Sequence, residues 1–373
     1  MNPNQLGPER ALSVAVIGVG GVGKELIEQL KDIPFPFQIA AVAKSNKMLL
    51  FTDGTTCFPV GQWQNALIHS ESTKDTHLGV LDALRPLVKA GGRKVVLVDN
   101  TSSQDVANSY PDYLNAGVNI VTPNKKAFSG DLQLYKRISQ GETTGGVPRG
   151  VFYNESTVGA GLPIISTLKD LINTGDKVTK IEGVFSGTLS YIFNEYSKGQ
   201  EGGPSFSSIV QVAKDNGYTE PHPGDDLNGA DVARKLTILS RMIPELRDRL
   251  PNGHEDVKPT SLVPEALKTA NAEEFMRRLP DFDSELAKRR DEAAKRGNVL
   301  RYVGVIEVAS GKIEAKLEEY PKTHAFATSL QGSDNIIMFH TERYGARPLL
   351  IQGAGAGNAV TAMGVMSDLL KLF

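Results

Sequence analysis

Leu12-Ser-Val-Ala-Val-Ile-Gly18-Val-Gly20-Gly-Val-Gly23 is a short β-rich run that ends on glycine and passes directly into Lys24-Glu-Leu-Ile-Glu-Gln-Leu-Lys31, an apolar-periodic helix. A G-x-G-x-x-G motif alone says little, but between a strand and a helix it reads as a dinucleotide-binding turn. Gly18 permits the tight turn, Gly20 lets the backbone approach a pyrophosphate, and Gly23 lets the helix lie close to the strand. The helix N-terminus then faces the negative charge. The candidate cofactor residues here are Gly18, Val19, Gly20, Gly21, Val22 and Gly23. The alternative is a plain glycine-rich turn.

Downstream, Gln38-Ile-Ala-Ala-Val-Ala43 reads as a second strand. Its end normally carries an acid for a free ribose 2′-hydroxyl. Here it carries Lys44-Ser-Asn-Lys47, so Lys44 and its neighbours suit a 2′-phosphate, unless both lysines are simply solvated. His77–Ala90 is a helix candidate and Lys94-Val-Val-Leu-Val-Asp99 a buried-type strand. The polar loop Asn100-Thr101-Ser102-Ser103 follows it, at the end of an α/β strand where ligands bind. Val118–Val121 is another strand, and Lys125 sits just beyond it, as a cofactor-side residue or an ordinary charged loop residue. Cys57, the single cysteine, has no histidine at a telling spacing and reads as an inert packed thiol. Val151–Tyr153 is a short strand. The turn Asn154–Leu162 offers the Glu155 carboxylate followed by turning backbone carbonyls, an oxygen-rich set suited to a hard cation, before the helix Pro163–Ile172. The alternative is an ordinary tight turn.

From about residue 177 the texture changes. Val178–Phe185 alternates as a strand, Ser186–Phe193 leads into a helix, and Phe206–Asn216 is another helix. Tyr218-Thr-Glu-Pro-His-Pro-Gly-Asp-Asp-Leu-Asn-Gly-Ala-Asp-Val-Ala-Arg-Lys235 then gathers Glu220, Asp225, Asp226, Asp231 and Lys235 in one stretch. Pro221, Pro223 and Gly224 rule out helix in its first half. From Leu227 the pattern is helical, with Asp225 or Asp226 as the expected cap. Asp231 and Lys235 then lie one turn apart on one face, a common surface pair when isolated, but here set in a cluster of carboxylates. Asp281–Arg296 reads as a solvated helix of alternating charge. Val299–Val308, Lys312–Glu319, Asn335–Thr341 and Leu349–Ile351 read as strands of an antiparallel sheet. Gln352–Gly357 repeats the strand–glycine–helix pattern, which points to the helix Ala359–Leu370 packing back onto the nucleotide domain.

The 373 residues are 40% hydrophobic and 23% charged, with a formal net charge of -2, which argues against a nucleic-acid or membrane-surface binder. One cysteine allows no intrachain disulfide. The N-terminus has no apolar signal core, and the expected compartment is the cytoplasm.

Taken together, Val14–Gly20, Leu97–Ser103, Thr122–Phe128, Glu155–Pro163, Ile181–Asn194, Gly217–Pro221, Asp225–Lys235 and Gln352–Gly357 resemble the homoserine dehydrogenase family, most closely the monofunctional fungal type. The resemblance spans nearly the whole chain. It implies reversible NAD(P)H-dependent reduction of L-aspartate 4-semialdehyde to L-homoserine in threonine, methionine and isoleucine biosynthesis, by a homodimer formed through the second domain. It implies Lys235 as proton donor, with Lys125 near cofactor and substrate, and Glu220, Asp226 and Asp231 around the substrate's amino group and the active-site water; Asp231, one turn before Lys235, is also placed to orient it. It brings Glu220, Asp226, Thr188 and Tyr218 to the substrate. Asn100, Thr101, Ser102 and Gly355 join the cofactor residues. Glu155 with the carbonyls of Val158, Ala160 and Leu162 matches a sodium site. The expected cofactors are therefore NADP(H), with NAD(H) as a second, and a monovalent cation, sodium or potassium. His222 departs from the family pattern, which often has Asp there. The chain's length leaves room for neither a fused aspartate kinase nor a C-terminal regulatory domain, so simple threonine inhibition is less expected.

The expected architecture is an α/β fold: a Rossmann-type nucleotide-binding domain, residues 1–153 plus 341–373, with an inserted α+β catalytic and dimerisation domain, residues 154–340. Two rival readings stand beside it. An acylating semialdehyde dehydrogenase would need an active-site thiol, for which Cys57 is the single, badly placed candidate. A non-catalytic NADP-binding sensor would have no reason to carry the carboxylate–lysine constellation.

Overall fold

The computed structural model of the protein describes residues 11–52, 58, 61–141 and 148–373. Cys57 lies outside the described residues. The chain divides into two compact units, Met1–Gly161 with Ala356–Phe373, and Leu162–Gly355.

The first unit is built on a six-stranded sheet: β1 (Leu12–Ile17), β2 (Phe37–Lys44), β3 (Lys47–Leu50), β4 (Lys94–Asp99), β5 (Asn119–Val121) and β6 (Phe152–Tyr153), in the order β3-β2-β1-β4-β5-β6. All neighbours are parallel except β3, which folds back on β2 with Lys44 opposite Lys47. Every residue of β1 is buried, which is why its sequence is a continuous apolar run and not an alternation. The chain reverses direction across the sheet between β1 and β4, so the C-terminal ends of those two strands form the crevice where such sheets bind ligands. Gly18 follows β1 and Asn100 follows β4, each held by a backbone hydrogen bond to the neighbouring strand: Gly18 N to Ala43 O at 2.9 Å, Asn100 N to Ile17 O at 2.8 Å.

The helix Asn358–Leu370 belongs to this unit and lies against the helix Gly21–Gln29. Its Ala362, Val365, Met366 and Leu369 share one core with Leu12, Val14, Val16, Leu26 and Val96. The boundaries differ from those expected. Residues 154–161 stay with the first unit, because the Asp368 carboxylate accepts the Glu155 N–H at 2.8 Å and the Ser156 hydroxyl donates to the Thr361 carbonyl. Residues 341–355 stay with the second, because Leu349–Ala354 is a strand of its sheet and the chain returns only at Ala356.

That second sheet is antiparallel throughout: β7 (Val178–Val184), β8 (Asn298–Glu307), β9 (Lys312–Pro321), β10 (Asp334–Thr341) and β11 (Leu349–Ala354), in the order β11-β10-β7-β8-β9. The helices Gly187–Tyr196 and Ala230–Met242 pack on it. Gly304 in β8 makes room for them: a Cβ there would come within 2.8 Å of Leu236 and 2.9 Å of Phe185. Val184, Val303, Val305, Ile336 and Met338 form a second cluster with Phe326 and Leu330. No helix among the described residues is long and apolar enough to cross a membrane.

Because Leu369 is fully buried in the first unit's core, Leu369→Ala is expected to destabilise that unit by about 2–5 kcal/mol. Urea unfolding followed by Trp63 fluorescence measures this. A loss under about 1 kcal/mol would mean that the C-terminal helix does not carry this core.

Candidate active site

The helix Ala230–Met242 is buried along most of its surface, and its start is shaped by two local features. Gly229 adopts φ +76°, where a Cβ would also collide with the Tyr302 hydroxyl at 2.1 Å. Asn228 Oδ1 accepts the Ala230 N–H at 2.8 Å. The cap position is Gly229, without a side-chain cap, and neither Asp225 nor Asp226 caps the helix as expected; Asn228, just before the cap, takes up one of its first N–H groups. Those two acids lie instead in a separate helical turn, Gly224–Leu227, inside the stretch expected to be non-helical. Pro223 precedes that turn, so its missing N–H costs the turn nothing.

One turn into the long helix, Asp231 Oδ2 meets Lys235 Nζ at 2.8 Å. The Lys235 ammonium also donates to the Phe185 carbonyl at 2.6 Å. The Lys235 side chain is 8% exposed and that of Asp231 44%, so the amine is sunk in the protein while its partner reaches the surface. This is more than the surface i,i+4 pair the spacing alone describes.

The other candidate residues of this unit converge on Asp226. Its Oδ2 accepts the Glu220 N–H at 2.8 Å, and the Thr188 hydroxyl lies 2.9 Å from Oδ1 and 2.6 Å from the Tyr218 carbonyl. Tyr218 packs its ring edge-on against Tyr191 at 4.9 Å. Burial pushes the Asp226 carboxyl above the ordinary carboxylate range, and the nearby charges of Glu220 and Asp231 push the same way. Its hydrogen bonds from the Glu220 N–H and Thr188 offset part of this shift. Thr188, Tyr218, Glu220 and Asp226 thus form one connected group, ahead of the helix that carries Asp231 and Lys235. His222, within the same loop, donates from Nε2 to the Ala270 carbonyl at 2.9 Å and accepts the Gly224 N–H at Nδ1.

Sequence reasoning missed Phe185 and Asn335. The Phe185 carbonyl receives both the Lys235 ammonium and Asn335 Nδ2, the latter at 3.0 Å. A backbone acceptor leaves no mark in a sequence. Gly355 lies over Asn335, where a Cβ would come 2.0 Å from Nδ2, so packing alone demands glycine there.

In the first unit the glycine turn has the expected form. Gly18 has φ +87°, and a Cβ on it would strike Thr101 and the Asn100 backbone. A Cβ on Gly23 would lie 2.1 Å from the Gly18 carbonyl, whereas one on Gly20 would meet nothing within 4 Å. Gly20, beside Val19, Gly21 and Val22, therefore presents bare backbone, as a pyrophosphate requires. Both amide atoms of Asn100 are buried without a hydrogen-bond partner, beside this turn. An open glycine turn next to an unsatisfied amide fits a dinucleotide. Thr101 and Ser102 follow in the same loop. Lys44 is exposed at the end of β2. Lys47 is committed elsewhere: its ammonium donates to the carbonyls of Ser70, at 2.8 Å, and Ile68. Lys125 sits half-buried immediately before the short helix Lys126–Ser129.

Glu155, Val158 and Ala160 belong to the first unit and Leu162 begins the second. Gly159 and Ala160 both take left-handed backbone, φ +79° and +54°. The Glu155 carboxylate lies 3.5 Å from Lys371 Nζ, which also pairs with Asp368 at 2.7 Å. The Leu162 carbonyl accepts the Ile164 N–H at 2.8 Å.

Comparison with known proteins follows this division. Residues 18–148 match the family model "Homoserine dehydrogenase, NAD binding domain", and residues 163–370 match "Homoserine dehydrogenase". The homoserine dehydrogenase of Emericella nidulans is 46% identical over 364 residues, 96% of this chain and 97% of that protein. That of Saccharomyces cerevisiae is 44% identical over 371 residues, 97% of this chain and 98% of that protein. A crystal structure of a Candida auris protein of unknown function superposes with a TM-score of 0.88 at 40% identity, covering 97% and 98% of the two chains. A hyperthermophilic archaeal homoserine dehydrogenase in complex with NADPH gives 0.67 at 20% identity over 97% of each chain, which speaks to the fold alone. With an NAD-binding unit, a matching catalytic unit and near full-length identity to fungal enzymes, the chain belongs to the homoserine dehydrogenase family, oxidoreductases that interconvert L-aspartate 4-semialdehyde and L-homoserine with a nicotinamide cofactor in amino-acid biosynthesis.

Proposed function

We propose that Lys235 is the proton donor of the reduction, that Glu220 and Asp226 hold the substrate's ammonium, and that NADP(H) is the preferred cofactor. The observation that carries this reading is the buried Lys235 ammonium, fixed by Asp231 at 2.8 Å and Phe185 O at 2.6 Å.

The bound cofactor supplies the hydride, and Gly18–Gly23, Asn100–Ser102 and Lys125 would hold it. The rest falls to this chain's side chains. Reduction of an aldehyde leaves charge on the carbonyl oxygen, and Lys235 Nζ meets it with a proton and a positive charge. Asp231, one turn earlier, orients Nζ through the 2.8 Å ion pair. In the reverse direction the same amine receives the homoserine hydroxyl proton. Asp226, already tied to the Glu220 backbone, fixes the loop so that both carboxylates can face one ammonium group. Thr188 and Tyr218 complete that side, the Thr188 hydroxyl lying between the Asp226 carboxylate and the Tyr218 carbonyl.

Preference for NADP(H) is supported by the exposed Lys44 at the end of β2 and the lack of an acid from Lys44 to Lys47. Lys47 is occupied with a helix end, so Lys44 carries this reading alone. A monovalent cation, sodium or potassium, at Glu155 with the carbonyls of Val158, Ala160 and Leu162 is supported by the oxygen-only donor set. Lys371, 3.5 Å from Glu155, already offsets part of the carboxylate's charge, which favours a singly charged ion over a divalent one. The enzyme acts as a homodimer through its second unit, in the cytoplasm. A monomer by analytical ultracentrifugation at micromolar concentration would remove the dimer from this account.

Lys235→Ala is expected to lower kcat by roughly 10²–10⁴-fold with NADPH Kd nearly unchanged, while Glu220→Gln mainly raises KM for the semialdehyde. Stopped-flow and steady-state kinetics separate the two. Near-normal kcat in Lys235→Ala, with loss in Lys125→Ala, would move the proton donor to Lys125. Lys44→Glu is expected to shift the ratio of kcat/KM for NADPH and NADH toward NADH, and an unchanged ratio would put the 2′-phosphate elsewhere. Glu155→Ala is expected to abolish the dependence of thermal stability on sodium or potassium. If that dependence survives, or if a chelator of divalent ions stops the wild-type enzyme, the cation site is wrongly assigned.

A further inference from the structure

Asp99 is the last residue of β4 and is fully buried. Three donors converge on its carboxylate. Oδ1 accepts the Thr101 N–H at 2.8 Å, and Oδ2 accepts the Tyr110 hydroxyl at 2.6 Å and Asn124 Nδ2 at 3.0 Å. Its main-chain oxygen accepts the Thr122 hydroxyl at 2.7 Å. None of these partners carries a positive charge.

Each donor is itself pinned. Asn124 gives its second amide hydrogen to the Ser103 carbonyl at 3.0 Å, and its Oδ1 accepts the Lys126 N–H at 3.1 Å, so its orientation is determined. Thr122 Oγ1 accepts the Asn124 N–H at 2.9 Å, and Thr101 Oγ1 accepts the Ser103 N–H at 3.1 Å. Burial, and after it the Asp99 carboxylate, push the Tyr110 phenol well above its ordinary range, so it stays a donor.

A buried carboxylate without a cation is expensive, and a neutral side chain would cost the fold less. What a carboxylate offers is two oxygens that only accept. An asparagine would turn an NH2 toward one of the three donors. The need met here is therefore geometric: two loops, Asn100–Ser103 after β4 and Thr122–Lys126 after β5, are tied to one side chain by charge-assisted hydrogen bonds. Those loops carry Asn100, Thr101, Ser102 and Lys125. From this convergence we infer that Asp99 is a positioning residue, which sets the two loops against each other and so shapes the nicotinamide half of the cofactor site without touching the cofactor. This rests on the reading that both loops face NADP(H).

The test compares two probes by fluorescence and calorimetric titration in the full-length protein: NADPH, and adenosine 2′,5′-bisphosphate, which lacks the pyrophosphate and nicotinamide. In Asp99→Asn the NADPH Kd is expected to rise about tenfold or more while the bisphosphate Kd stays within about twofold. A structural role alone would weaken both in step with the fall in Tm. That outcome, or no change in either Kd, overturns the proposal. Should Asp99→Asn fail to fold, Asn124→Ala, which unties the second loop and leaves the carboxylate two donors, must show the same split, and its absence also overturns the proposal. If the wild-type protein binds neither probe, the cofactor reading fails first and takes the proposal with it.

Discussion

An ammonium group taken out of water must find its compensation in the protein, and the second unit is arranged around that requirement at Lys235. The Asp231 carboxylate and the Phe185 carbonyl both reach it. Phe185 follows β7, Asn335 on β10 donates to the same carbonyl, and the helix bearing Lys235 lies on β8 and β9. Four strands and one helix are thus referenced to a single backbone oxygen. The glycine at 355 is a consequence of the same arrangement, because Asn335 occupies the space a side chain would need. A shift in any of these strands would leave a charged amine poorly solvated, so the position of Lys235 is coupled to the integrity of the sheet.

The first unit solves a different problem, that of presenting backbone and unsatisfied polar groups to a ligand without collapsing onto them. Gly18 and Gly23 close the turn while Gly20 leaves it open. The Asn100 amide beside it is buried without partners, a cost the fold bears in exchange for readiness to bind. The carboxyl of Asp226, displaced upward by burial, is a comparable tension in the second unit. Its ionised form is disfavoured in the folded state, so folding stability falls as pH rises from the ordinary carboxylate range through the displaced value, and the full cost is present above it.

Much of this was legible in the sequence because local chemistry and global role coincide. The β1 turn reads correctly since strand, glycines and helix are contiguous, and the Asp231–Lys235 pair since helical spacing sets it directly. The strands β7 to β11 announce themselves by alternation. Where reading failed, long-range contacts decided. Lys47 looks like a phosphate ligand beside Lys44, but β3 folds back and delivers its amine to the end of the helix Trp63–His69. The domain boundary expected at 341 falls too early: Leu349–Ile351 reads correctly as a strand of the antiparallel sheet, and its pairing with β10 keeps the chain in the second unit up to Gly355. Arg290, in a helix that reads as solvated, is buried and donates to Pro204 O at 2.8 Å while lying over the Tyr196 ring. The Phe185 carbonyl has no side-chain signature at all, and the converging partners of Asp99 come from three separate segments.

The division of the first unit between two ends of the chain has a consequence for the order of folding. Gln29 Nε2 reaches the Ala359 carbonyl across 330 residues of sequence, and Val365, Met366 and Leu369 complete a core begun at Leu12. Contacts so distant in sequence form late, because closing the intervening chain costs entropy before they are made. The second unit, continuous from Leu162 to Gly355, has all its strands in hand before the closing helix leaves the ribosome. During synthesis the nucleotide-binding sheet therefore waits with its core only partly covered, by residues such as Leu26, Ile27 and Trp63, until Val365, Met366 and Leu369 arrive.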